Sequence, residues 1–267
     1  MSTVPAMLTL AGSDPSGGAG IQADLKTATA LGVYSASVIT ALTAQNTTGV
    51  SNIHTPPLEF LREQYAMVVT DLNVHALKIG MLGSAELIAL VAELLDAYPL
   101  PAVVLDPVMV ATSGDRLVPD DAVDAIRTLL VPRATIVTPN APEAAELSGI
   151  AVTGEDSLVR AAEAIVERGA SAVLAKGGHL GGPQAVDFLV TTSGVERLES
   201  ARIDTPNTHG TGCTLSSAIA AGLTQGLDLS AAVAQAKDYL HRALAAGAAQ
   251  RVGTGSGPVD HLVTLRP

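Results

Sequence analysis

One stretch of this 267-residue chain combines a nucleophile, a tight turn and a helix start. Asn207-Thr-His-Gly-Thr-Gly-Cys213-Thr contains the only cysteine and runs straight into an apolar segment, Leu215 to Leu223, that is expected to be a buried helix. Gly210 and Gly212 permit the turn, so unpaired amide N–H groups at the helix start can converge on one anion, helped by the helix dipole. The pattern is a phosphate seat with a thiol inside it. The dipole stabilises a thiolate by about 0.3–1 kcal/mol when exposed and up to about 2 when partly buried. It predicts a lowered pKa for Cys213. An inert, buried cysteine at a helix N-terminus is the other reading of the same residues.

Further chemistry-bearing residues fall at the ends of short apolar runs. Asp106 closes one such run, where a carboxylate is costly unless it is paired or metal-bound. Asn140-Ala-Pro-Glu143 has capping-box spacing, which explains it locally, yet Asp106 and Glu143 on neighbouring strand ends could together hold a hydrated Mg²⁺. Lys176, ending another run, could act as a point charge on transferring phosphate oxygens or simply be a surface lysine. Asp24 lies one turn into the first expected helix, where a carboxylate also complements the dipole. Gln45 offers amide donor and acceptor to a heterocycle edge, or is part of a plain turn, Gln45-Asn46-Thr47-Thr48-Gly49. Gly18-Ala-Gly20-Ile-Gln-Ala23 matches the dinucleotide fingerprint formally, but after Asp24 the next acidic residue is Glu59, too late to bind a ribose.

These residues must be positioned by an alternating pattern of strands and helices, the mark of βαβ units and a mainly parallel sheet. Strands are expected at Met7 to Ala11, Ala36 to Ala41, Ala76 to Ile79, Ala102 to Leu105, Thr135 to Val137 and Ala172 to Ala175. Helices are expected at Ile21 to Leu31, Leu58 to Leu72, Ala85 to Ala97, Asp120 to Leu130, Glu143 to Leu147 and Leu158 to Arg168. Ala185 to Thr192 and Val195 to Ile203, separated by Ser193-Gly194, predict an antiparallel hairpin. Two helices, about 213–225 and 229–249, close the chain. The unusual loops all follow strands, so one mouth at the carboxyl ends of the sheet is expected to gather them.

Composition narrows the partners. A hydrophobic share of 48% supports one large domain, residues 1–267, and the net charge of -11 with only 15 Lys and Arg offers no basic stripe for nucleic acid or an anionic membrane. No apolar run reaches the roughly 18 residues of a membrane span, and no basic n-region precedes Lys26. A single cysteine forbids an intrachain disulfide and agrees with a cytoplasmic location. The six histidines show no zinc-site spacing and are expected to be surface or loop residues.

Taken together, several segments resemble the hydroxymethylpyrimidine and phosphomethylpyrimidine kinases of thiamine biosynthesis, in the ribokinase-like superfamily. The carrying segments are Ala11-Gly-Ser-Asp-Pro-Ser-Gly-Gly-Ala-Gly-Ile-Gln-Ala-Asp24, Val38-Ile-Thr-Ala-Leu-Thr-Ala-Gln-Asn46, Lys78-Ile-Gly-Met-Leu82, Thr138-Pro-Asn-Ala-Pro-Glu143, Lys176-Gly-Gly-His179 and Thr208-His-Gly-Thr-Gly-Cys-Thr-Leu-Ser216. The tail Val252-Gly-Thr-Gly-Ser-Gly-Pro-Val259 also resembles the family's ending. The resemblance implies an α/β three-layer sandwich, with helices on both faces of the sheet and a hairpin in the C-terminal half. It implies ATP-dependent phosphorylation of 4-amino-5-hydroxymethyl-2-methylpyrimidine, then of its monophosphate, at one site, by a homodimer lacking the extra domain some relatives carry.

By the same resemblance Asp24 and Gln45 contact the pyrimidine, with Gly12, Met81 and Val108 packed around it. Asn140, Thr208, Gly210, Thr211 and Gly212 bind ATP, and Lys176 neutralises the moving charge. Asp106 and Glu143 organise Mg²⁺, and Cys213 stands where sugar kinases of the superfamily carry an aspartate base. The readings that compete are a pyridoxal kinase of the cysteine-containing type, a nucleotide or pyrimidine-binding module without catalysis, and a cysteine hydrolase using His209.

Overall fold

A computed structural model describes residues 3–109, 118–178 and 180–266, so His179 of the fifth motif lies outside the described residues. Elements alternate as the apolar runs foretell: β1 (Ala6–Ser13), α1 (Gly20–Ala30), β2 (Tyr34–Asn46), β3 (Gly49–His54), α2 (Leu58–Val69), β4 (Val74–Ile79), α3 (Ala85–Ala97) and β5 (Ala102–Leu105). There follow α4 (Asp120–Ala125), β6 (Ile136–Val137), α5 (Ala141–Ser148), α6 (Glu155–Glu167), β7 (Ala172–Lys176), β8 (Gln184–Thr191), β9 (Gly194–Ala201), α7 (Thr211–Thr224) and α8 (Leu229–Gly247).

The strands form one sheet in the order β3-β2-β1-β4-β5-β6-β7-β8-β9. From β2 to β7 neighbours run parallel, while β3, β8 and β9 pair antiparallel at the two edges. Successive strand residues face opposite layers, as the two-residue period of a strand demands. Leu8, Leu77, Val103 and Val173 pack with α2 to α6. Met7, Ala76, Val104 and Leu174 pack with α1, α7 and α8. Both faces are covered, which is why the parallel strands read as continuous apolar runs rather than alternating ones.

Two elements depart from the sequence expectation. β2 does not stop near Ala41 but continues to Asn46 and folds back on β3 as a hairpin, so Gln45 lies in a strand rather than a loop. Its outer half mixes polar residues with exposed Leu42 and Ile53, and such a half-solvated ribbon carries no continuous apolar run to betray it. The helix expected at Asp120 to Leu130 keeps its α geometry only to Ala125, then widens into a π turn at Ile126–Leu130 and tightens to a 3₁₀ turn at Val131–Arg133. Pro132, which has no N–H to donate, sits in that terminal turn.

β1 is connected through α1 to β2 on one side of itself, while β4 lies on the other, so the crossover direction reverses beside it. A ligand crevice is expected at such a switch point, beyond the carboxyl ends of the strands. Directly beneath it lies an ion pair. Lys78 on β4 is the register partner of Thr9 on β1, and its Nζ lies 2.9 Å from each oxygen of Asp24 on α1. Both side chains are 0% exposed, and Asp24 also accepts bonds of 2.6 Å from Thr9 Oγ1 and from Ser217 Oγ on α7. Burial pushes Lys78 towards neutrality, but Asp24, with Cys213 and Asp106 behind it, outweighs that and holds the ammonium above its ordinary pKa. Four elements are thereby fastened together under the mouth.

Breaking such a pair on one side strands the remaining charge in the interior. Lys78→Met is expected to lose about 3–5 kcal/mol of stability in urea unfolding. Lys78→Met/Asp24→Asn, which removes both charges but keeps an acceptor for Thr9 and Ser217, is expected to recover most of that loss. Equal losses in the single and double variants would contradict the ion-pair account.

Candidate active site

Two glycine-rich loops meet above the switch point. One leaves β1 and leads into α1; the other precedes α7. Gly210, the N-cap of α7, has φ of 79°, and a Cβ there would lie 1.9 Å from the Gly18 carbonyl oxygen. Only glycine meets both demands, the left-handed backbone and the contact. Thr211 N–H bonds back to Thr208 O at 3.2 Å and Thr214 N–H to Gly210 O at 2.8 Å. The N–H groups of Gly212 and Cys213 have no acceptor among the described residues. These are the unsatisfied amides of a helix start, which can receive an anion. Thr208 is exposed and Thr211 half-buried on its rim.

Beside that seat lies a cluster of charge. A Cβ at Gly212 would meet Lys176 Nζ at 3.4 Å and Asp106 Oδ2 at 3.6 Å. Lys176, at the end of β7, pairs with Asp106 Oδ1 at 3.3 Å and is only 15% exposed, so it is no surface lysine. Burial works against its charge, but Asp106 and Glu143 outweigh that and raise its pKa. Asp106 is further held by Thr138 Oγ1 and Ser216 Oγ, both at 3.2 Å. Asn140 and Glu143 form the expected capping box: Asn140 N–H donates to Glu143 Oε2 at 2.8 Å and Glu143 N–H to Asn140 Oδ1 at 2.9 Å. Burial pushes the Glu143 carboxyl up, Lys176 pulls it down and Asp106 pushes it up again, leaving it at about 7.

No group of three or more His, Cys, Asp or Glu poised around a metal occurs among the described residues. Mg²⁺, however, commonly takes only one or two carboxylates and completes its shell with water and phosphate oxygens. Asp106 and Glu143 together outweigh the single ammonium of Lys176, and this surplus negative charge suits a hydrated divalent cation. The donor set fits such an ion.

Cys213 is half-buried at the start of α7. Its expected lowered pKa is corrected: burial pushes the thiol up to about 11. Lys78 and the Gly20 N–H pull the other way, while the Asp24 and Asp106 carboxylates add to the rise. A helix dipole of at most about 2 kcal/mol does not overcome the loss of solvation together with two nearby anions.

Asp24 is a second correction. Both of its oxygens are taken by Thr9, Ser217 and Lys78 with no exposure to solvent, so it underpins the site rather than facing a ligand. Gly12 and Met81 do come together, a Cβ at Gly12 lying 3.2 Å from Met81 Cε. Val108 is half-buried two residues beyond Asp106. Gln45 lines a cavity of about 520 Å³ with Pro15, Asn46, Val50 and Ser51. Its Oε1 accepts from Thr43 Oγ1 at 3.1 Å, and its NH₂ group has no acceptor among the described residues.

The expectation of surface histidines fails at two positions. His209 is 7% and His261 4% exposed. His209 Nε2 bonds Asp14 Oδ2 at 2.8 Å, and His261 Nε2 meets Thr214 Oγ1 at 3.1 Å. Burial holds His261 down at about 4, so it is neutral at physiological pH. Spacing and composition assign no role to Asp14, Lys78 or Ser217. For Lys78 the signal was a lysine inside an otherwise apolar strand, and for Asp14 it was Asp-Pro-Ser, a side-chain turn in which Asp14 Oδ1 accepts Ser16 N–H at 2.8 Å.

Known proteins share this architecture and sequence. A hydroxymethylpyrimidine/phosphomethylpyrimidine kinase from Rhizobium meliloti is 53% identical over 255 residues, 95% of this chain and 96% of that protein. The phosphomethylpyrimidine kinase of Clostridium difficile superposes with a TM-score of 0.80 at 41% identity, covering 91% of this chain and 100% of that one. A Bacillus subtilis pyridoxal kinase, solved as an ADP complex, superposes with a TM-score of 0.88 at 37% identity, covering 97% and 98%. The family model for phosphomethylpyrimidine kinase matches residues 14–260. From the anion seat to the sheet that carries it, the chain belongs to the phosphomethylpyrimidine kinase family.

Proposed function

We propose that this site transfers the γ-phosphoryl group of ATP to the hydroxymethyl oxygen of 4-amino-5-hydroxymethyl-2-methylpyrimidine, and then a second phosphoryl group to the resulting monophosphate, in thiamine biosynthesis. The observation that carries it is the meeting of three functions within one turn of α7: unpaired Gly212 and Cys213 amides, the Lys176 ammonium and a thiol. Phosphoryl transfer asks mainly for positioning and charge neutralisation, which amides and a lysine supply. Asn140, Thr208, Gly210, Thr211 and Gly212 line the nucleotide side in this reading. Gln45, Gly12, Met81 and Val108 line the pyrimidine side. Mg²⁺, held through Asp106 and Glu143, would neutralise phosphate oxygens when bound.

Cys213 takes the alcohol proton in this reading. In the free protein the thiol is neutral, so the reactive fraction is small and grows as pH rises toward 11. The two lysines on either side, Lys78 and Lys176, favour the thiolate, and an alcohol proton handed over late in a loose transition state needs only modest basicity. The same reading includes a single-domain homodimer in the cytoplasm. Exposed Leu42 and Ile53 on the hairpin and Phe60 and Met67 on α2 give it apolar surface for a partner copy. Among the described residues no helix is long and apolar enough to cross a membrane.

Pyridoxal is the second acceptor worth testing, because kinases named for it superpose over nearly the whole chain at 37% and 32% identity. Purified protein with Mg-ATP is expected to form ADP with hydroxymethylpyrimidine and with its monophosphate well above the rate with pyridoxal. Preference for pyridoxal would reassign the acceptor, and turnover of none of the three would discard the kinase reading. Cys213→Ala is expected to lower kcat by about 10²–10⁴-fold with the KM for ATP little changed; full activity would remove the thiol as base. Because Cys213 is the only cysteine, iodoacetamide labelling of the free protein reports its titration directly. The raised pKa predicts a labelling rate that climbs about tenfold per pH unit from 7 to 9. A plateau below pH 8 would show a thiolate already formed.

A further inference from the structure

We propose that His209 is a positioning residue for the transfer: bonded to Asp14, it latches the glycine loop after β1 onto the anion loop and so fixes the backbone that leads into Cys213. The inference rests on the reading of Cys213 given above and names a residue that acts through it. His209 stands next to Gly210 in the anion loop, and its Nε2 lies 2.8 Å from Asp14 Oδ2. Asp14, 3% exposed, is the hub of the other loop: it accepts Ser16 N–H at 2.8 Å, Ser16 Oγ at 2.7 Å, Gly18 N–H at 3.2 Å and Ala19 N–H at 2.9 Å. A carboxylate collecting so many donors is ionised; burial opposes its charge, but His209, Ser16 and the Ala19 amide hold it down at about 2. Nε2 of His209 is therefore the donor of this bond.

Contact and backbone bonding add to the latch. A Cβ at Gly18 would lie 2.4 Å from His209 Cδ2, so the imidazole rests on the bare backbone of the first loop. His209 N–H donates to Gly257 O at 3.1 Å, tying in the glycine-rich tail. The ordered amides lead directly to the thiol. Ala19 is the N-cap of α1 without a side-chain bond of its own, and the amide of the next residue, Gly20, acts on Cys213 in the direction that favours its thiolate. Asp14 thus orders the backbone that enters α1, and His209 holds Asp14 in place.

The test pairs kcat with labelling of the lone cysteine in His209→Leu and His209→Gln. Loss of the latch opens the loop over the thiol. Water then relieves the burial that is the largest cause of its raised pKa, so iodoacetamide labelling at pH 8 is expected to quicken about fivefold or more in His209→Leu, while kcat falls about tenfold or more. A more reactive thiol on a slower enzyme is not what a general loss of packing gives. Gln can donate from Nε2 to Asp14, and His209→Gln is expected to regain most of the kcat and the slow labelling. Parental kcat and labelling in His209→Leu, or equal losses in the Leu and Gln variants with parental labelling, would overturn the proposal. If circular dichroism shows that His209→Leu does not fold, Asp14→Asn gives the same test, because its amide nitrogen cannot accept from Ala19 or His209. Labelling is read without turnover, so it still judges the latch if Cys213→Ala proves fully active and the base reading fails.

Discussion

The site depends on one contact of backbone against backbone, Gly210 lying over the carbonyl of Gly18. The two loops it joins come from opposite ends of the chain, and neither has regular structure of its own. Their approach turns the first amides of α7 into a seat over the carboxyl end of the sheet. It also brings the start of α1 near the single thiol. A side chain at either position would separate the loops, so the glycines are there for distance as much as for conformation.

Charge is used sparingly and placed with care. A chain of net charge -11 does not attract anionic substrates by its overall field, so the positive groups of the site must act at short range. Lys176 does so beside the seat, kept charged by Asp106 and Glu143. Lys78 does so from underneath, kept charged by Asp24. Buried ion pairs of this kind add little to stability compared with apolar packing. Their cost is understandable where an ammonium must stay charged beside a thiol. Burial keeps the Cys213 thiol protonated in the free protein.

Much of this was legible from residues alone. Short apolar runs, two of them ending in Asp106 and Lys176, located the parallel strands and their functional edge, because buried strands in such sheets are apolar on both faces. The capping box at Asn140 and Glu143 was readable from spacing, and the anion seat from the glycines at 210 and 212. What escaped was what depends on three dimensions. Asp24 looks like a ligand contact until Lys78, 54 residues away, is found against it. His209 looks like a loop histidine until Asp14, 195 residues away, closes on it. The thiol pKa was misjudged because the helix dipole is written in the sequence and the desolvation is not. The β2–β3 hairpin was missed because a strand half in solvent carries no continuous apolar signal.

The most direct measurement of this account is calorimetric binding of a non-hydrolysable ATP analogue, with Mg²⁺, to Gly210→Ala. Residue 210 has φ of 79° and no room for a Cβ, so the substitution separates the loops without touching any charged group. If the interlocked loops make the phosphate seat, affinity falls about 100-fold or more while the thermal transition of the sheet is retained. An affinity within about threefold of the parental protein would show that the nucleotide is held elsewhere.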